Sequence, residues 1–234
     1  FPRSINFPKR IESNHAEVHF DNQILELSTF TRQWEVTLDL QKCIVVWPGI
    51  IDISEGLVWT IDRYHYAIQA GVLGEDDRIE LLNGILVKKM STGEEHSACI
   101  SVLDDYFVDL FGRTYRFRTE NPISLPDLSE PEPDFIIADR KADRYRSGHP
   151  TVDDIHLVIE VAKESLDRDR TIKASIYANA GILEYWIVNL MDRKLELHLD
   201  RGEGGKYTTI KHFNESETFQ SPFTVKTKVS DLLP

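Results

Sequence analysis

The stretch PEPDFIIA (131–138), followed by IHLVIEVAKES (155–165) and DRDRTIKASIYANAGILEYWIVN (167–189), decides the fold. FIIA, IHLVIEV and EYWIVN are short runs of apolar, β-branched and aromatic residues, the composition of strands buried on both faces. Between the second and third runs, residues 168–180 carry helical patterning that closes on Gly181. A strand, a helix and a strand in that order make a crossover on a sheet.

The pattern extends in both directions. TYRFRTEN is a further strand before this stretch, and KLELHLD and KYTTIKH follow it around the GEGG turn at 202–205. Residues 96–111 place Ile100, Leu103, Phe107 and Leu110 at helical spacing and stop at Gly112. RIELLNGILVKKM is a hairpin around Asn83-Gly84, the pair preferred in a two-residue turn. WTIDRYHYAIQAG is a helix with Thr60 as N-cap and Gly71 as its stop. Residues 1–56, with QILEL, WEVTLDL and CIVVW, form an N-terminal β-rich extension, and residues 57–234 form the main domain. The pattern predicts an α/β or α+β fold with a mixed sheet flanked by helices.

Composition narrows the class. With 41% hydrophobic and 28% charged residues in 234, the chain has material for a sizeable core, which excludes wholesale disorder. The densest apolar run, CIVVWPGIIDI, is short and broken by Pro48 and Gly49, so it does not read as a membrane helix. Cys43 and Cys99 leave one disulfide open but exclude a disulfide framework and a CxxC metal knuckle. No charged-then-apolar leader pattern opens the sequence, so the expected compartment is the cytoplasm. The 27 basic and 39 acidic residues give a net charge of −12, which argues against a broad nucleic-acid coat. It leaves room for an enzyme whose carboxylates gather around a cation. No GxxxxGK[ST], GxSxG or HExxH motif occurs.

Two strands carry carboxylates in unusual places. Asp134 opens the run DFIIA, and Glu160 lies near the end of IHLVIEV. A carboxylate in a buried strand is costly unless it is paired or holds a metal. Alternation puts Glu160 on one face with Val158 and His156, opposite Leu157 and Ile159. If the two strands are neighbours, Asp134 and Glu160 converge on one divalent cation, and oxygen ligands suit Mg²⁺ or Mn²⁺. On the following helix Lys173 is four residues from both Asp169 and Tyr177, so the three share a face. Tyr177 itself reads as packing and His198 as a surface residue. The basic segment RKADRYR (140–146) lies between the two acidic strands, either as a solvated loop or as a nucleic-acid contact near the site.

Together these residues resemble the PD-(D/E)XK nuclease superfamily. Within it they resemble the large bacterial family labelled “putative restriction endonuclease” or domain of unknown function. Six ordered blocks carry the resemblance: ELLNG (80–84), His96, PEPD (131–134), Glu160 to Ser165, Asp169 to Lys173, and the run from Ala180 to Val188. They cover roughly residues 57–232. The resemblance implies a restriction-endonuclease-like core and Mg²⁺- or Mn²⁺-dependent hydrolysis of phosphodiester bonds in DNA. It also implies Asp134 and Glu160 as metal ligands, Glu80 as a further acidic site residue, and Lys173 as the assisting lysine.

The sequence departs from the superfamily in one place. The lysine two residues after the acid would be position 162, which is alanine, and Lys163 is one further on. Lys173 on the helix is preferred to Lys163. A homodimer would supply the two active sites that double-strand cutting needs. The competing class is a module that keeps the nuclease fold and binds nucleic acid or a protein without cutting.

Overall fold

The computed structural model describes residues 15–20, 23–28, 58–89, 93–126 and 128–234. It divides into two compact units, Phe1–Val36 and Thr37–Pro234. In the first, β1 (His15–Phe20) and β2 (Gln23–Ser28) form an antiparallel hairpin, so QILEL is a strand as expected. WEVTLDL, CIVVW and Cys43 lie outside the described residues.

The second unit begins, among its described residues, with α1 (Ile61–Gln69), where the Thr60 side chain accepts the Arg63 amide. The hairpin β3 (Ile79–Leu82) and β4 (Ile85–Lys88) turns through Asn83 and Gly84, both at positive φ. Gly84 is required there: at φ +77° an added Cβ would also meet Val58 Cγ1 at 2.1 Å. Next come α2 (Glu94–Phe111), β5 (Arg116–Thr119), β6 (Phe135–Ala138) and β7 (Ile155–Ala162). The crossover is built from α3 (Leu166–Arg168), a π turn (Asp169–Lys173) and α4 (Ala174–Ala180). The chain continues through β8 (Glu184–Asn189), β9 (Lys194–Gly202) and β10 (Lys206–Asn214) to the short strands β11 (Thr218–Phe219) and β12 (Thr227–Lys228).

The central sheet has the order β10-β9-β8-β7-β6-β5. Only the β7–β8 pair is parallel, because only there does a helix carry the chain back across the sheet. The sheet is therefore mixed, as expected. Cys99, Leu103 and Phe107 of α2 cover one face, with Phe107 stacked on Phe135 at 5.5 Å and close to Trp186. Ile176, Tyr177 and Ala178 of α4 cover the other, against Val158, Tyr185 and Ile187. Each fully buried large side chain contributes about 1.5–3 kcal/mol. The Cys99 thiol is free and buried, which pushes its pKa up to about 12. No helix among the described residues is long and apolar enough to cross a membrane.

Three local expectations are corrected. His156 does not share the Glu160 face. Ala138 pairs with Ile155 and Ile137 with Leu157, so His156 is the extra residue of a bulge, and its ring packs on Tyr115 and Phe223. His198 is buried at 2% exposure, because β10 pairs alongside β9 and the rings of Tyr185 and Tyr207 pack against the imidazole. Finally, the basic loop 140–146 is not beside Asp134 and Glu160. β6 leads away from Asp134, and β7 returns to Glu160 in antiparallel register, so the loop emerges at the far end of both strands. That separation is about 13 Å along β6.

Candidate active site

Asp134 sits immediately before β6 and Glu160 near the end of β7, and Phe135 is paired with Ile159. The antiparallel register therefore brings the two carboxylates to the same end of the sheet. Asp134 Oδ2 accepts the Val161 amide at 2.7 Å, which ties it to the residue after Glu160. His96, in the first turn of α2, places Nε2 3.1 Å from the same oxygen.

Glu80 arrives from a separate small sheet. Leu81 bridges to Glu130 through paired backbone hydrogen bonds, docking β3 against the PEPD segment. The Glu132 amide then donates to Glu80 Oε2 at 3.2 Å. Its other oxygen, Oε1, is buried without a hydrogen bond, with the Arg168 guanidinium 4.0 Å away.

Lys173 is the cation at the centre. Its Nζ donates to Glu160 Oε1 at 2.8 Å and lies 3.5 Å from Glu80 Oε2. Tyr177, one turn on, donates its hydroxyl to Glu160 Oε1 at 2.6 Å. Asp169 is buried as well, accepting from Ser165 at 2.6 Å, while its Oδ1 has no partner. The π turn carries Asp169 and Lys173. The widened turn leaves the Asp169 carbonyl to accept from the Ala174 amide and the Tyr185 hydroxyl.

The electrostatics follow from crowding. Burial, reinforced by Asp134 and Asp169 and only partly offset by Lys173, holds the Glu160 carboxyl well above the usual carboxylate range. Burial also raises Asp169. For Asp134 burial pulls upward, but His96, Lys173 and the Val161 amide outweigh it and hold its carboxyl below the usual range. Burial works against charge on Lys173, yet Glu160, Glu80, Asp169 and Asp134 together raise its pKa. Lys173 is therefore an ammonium at neutral pH. It acts as a donor and a counter-charge, and it does not act as a base.

The structure brings Glu80, Glu160 and Lys173 into contact, with Asp134 alongside. Lys163 lies elsewhere: it is half exposed and paired with Glu95 at 2.8 Å. Sequence reading missed two members of the site. Tyr177 was assigned to packing, although its four-residue spacing from Lys173 already placed it on the right face. Glu120, just past β5, presents a ligand atom within 4.8 Å of His96 and Asp134, and no motif marks it.

These side chains fit a divalent cation. Four carboxylates face one buried lysine, and Glu80 Oε1 and Asp169 Oδ1 are buried acceptors without donors. Such a surplus of buried negative charge is relieved by protonation or by a cation. The donors are hard oxygens, as Mg²⁺ and Mn²⁺ prefer.

A family model described as “Uma2: Putative restriction endonuclease” matches residues 62–230. Among solved structures, the chain resembles one titled as a putative nuclease belonging to DUF820 from Anabaena variabilis ATCC 29413. The identity is 15% and the TM-score 0.56, with 74% of this chain and 96% of that chain covered, so the fold is shared. No curated protein matches the sequence.

Proposed function

Because this chain belongs to the Uma2, or “putative restriction endonuclease”, family, whose activity implies a nucleic-acid substrate, we propose that it is a Mg²⁺- or Mn²⁺-dependent endonuclease acting on DNA. Residues 57–234 are taken as the nuclease-like domain and 1–56 as its extension. The observation that carries the reading is the placement of Lys173 Nζ between Glu160, at 2.8 Å, and Glu80, at 3.5 Å, in a buried acidic cluster that includes Asp134.

Asp134, Glu160 and Glu80 would hold the cation. A cation so held polarises a phosphodiester oxygen and makes its bound water acidic near neutral pH. Tyr177 and Lys173 both donate to Glu160 Oε1, which fixes the carboxylate and leaves Oε2 without a donor among the described residues. The fixed charge of Lys173 opposes the negative charge that develops as the phosphodiester is attacked. All of these residues come from one chain, so the chemistry at one strand needs no second copy.

The test is calorimetric titration of Mn²⁺ and Mg²⁺ into the wild type and the Asp134→Ala, Glu160→Ala double variant, paired with cleavage assays across DNA substrates. The proposal expects a saturable ion and divalent-dependent cleavage in the wild type, both lost in the double variant. Identical titrations would overturn the cation site and favour the non-cutting module.

A further inference from the structure

We propose that the chain carries a second, nitrogen-containing cation site, formed by His96, Glu120 and Asp134, that takes a first-row divalent ion of the Mn²⁺ class. The inference rests on the reading of Asp134 as a cation ligand and goes beyond it in naming two residues and a different metal preference.

The three residues come from separate elements: the first turn of α2, the residue after β5 and the residue before β6. One ligand atom from each lies within 4.8 Å of the others. That spread suits one ion: at about 2.1 Å per bond, ligands lie about 3 Å apart when adjacent and about 4.2 Å when opposed. The 3.1 Å separation of His96 Nε2 and Asp134 Oδ2 fits the adjacent case as well as it fits a hydrogen bond.

A second observation points the same way. The His96 ring is nine-tenths buried, and its Nδ1 is without any partner. A buried imidazole that engages a carboxylate through one nitrogen and leaves the other open is in the usual state of a metal-binding histidine. The Glu120 carboxylate has no donor among the described residues, and it shares its neighbourhood with Asp134. Two carboxylates placed together without a cation repel each other, and an ion between them removes that cost. Glu120 is also held at φ +49°, with its amide bonded to the Asp134 carbonyl at 3.2 Å. An imidazole beside two carboxylates favours Mn²⁺ and later first-row ions over Mg²⁺, which prefers oxygen alone.

The experiment counts bound Mn²⁺ by electron paramagnetic resonance and reads spin-echo modulation from a coordinated imidazole nitrogen. The wild type is expected to bind two Mn²⁺ and to show the nitrogen signal. Glu120→Gln, an exposed substitution that leaves the core intact, should lose one ion, and His96→Gln should lose the nitrogen signal. Equal stoichiometry in the wild type and Glu120→Gln, or no nitrogen signal in the wild type, would overturn the second site. The Glu80→Gln, Glu160→Gln double variant separates the two readings. It should lose the other ion and keep the nitrogen signal. Unchanged stoichiometry there would remove the site under the proposed function and leave this one standing.

Discussion

Lys173 Nζ and Glu160 Oε1 form a 2.8 Å ion pair in which both side chains are almost wholly excluded from water. Neither charge is tolerable there alone, and each is the reason the other can remain ionised.

Lys173→Met should therefore destabilise the protein by about 3–5 kcal/mol, since it strands Glu160 and Glu80 in the interior. Mn²⁺ should restore part of that loss by taking over the neutralising role. Lys163→Ala, at a solvent-screened pair, should leave the denaturation midpoint unchanged. Urea titrations with and without Mn²⁺ measure both. In cleavage assays Lys173→Ala should lower turnover far more than cation affinity, and the opposite ranking of the two lysines would reassign the role.

The raised pKa of Glu160 sets the pH dependence of cation binding. A carboxyl raised in the folded state holds its proton above the unfolded value of about 4.3, and the metal-free fold loses that contribution as pH rises through the raised value. A cation binds the ionised form. Its affinity should climb as pH rises above about 5, with a proton released on binding. Titration in two buffers of different ionisation enthalpy should give different apparent heats, and identical heats would contradict the assignment.

Tyr177→Phe removes a buried donor from a charged acceptor and should cost about 1.5–3 kcal/mol. The remaining Lys173 bond should hold Glu160 in place, so saturable Mn²⁺ binding should survive with reduced affinity. A Tyr177→Phe protein as stable as the wild type would return Tyr177 to a packing role.

The Arg170–Glu196 pair gives a separate acid-sensitive anchor on the π turn. Burial pulls the Glu196 carboxyl upward, but His198 and the Arg170 fork outweigh it and hold its pKa at about 2. A depressed carboxyl stabilises the fold above its unfolded pKa, and that contribution disappears as pH falls from about 4.3 to about 2. Glu196→Gln should flatten the stability profile across that window by on the order of 1–2 kcal/mol, allowing for water around half-exposed Arg170. Denaturation midpoints across the acid range check it.

The sequence alone determined the elements and the family. FIIA, IHLVIEV and EYWIVN announce buried strands, Asn83-Gly84 announces its turn, and the carboxylates in strand runs announce a site, because these signals are local and set by backbone preference and side-chain period. Tertiary structure decided what meets what. The bulge at His156 reversed a face that alternation had assigned, and the antiparallel return of β7 carried the basic loop 140–146 away from the carboxylates. His198 became interior once β10 and Tyr207 lay alongside it. Tyr177 and Glu120 joined the site only because elements distant in sequence pack at one end of the sheet. Burial and charge coupling depend on the opposing layer, and a linear pattern carries no record of which layer that will be.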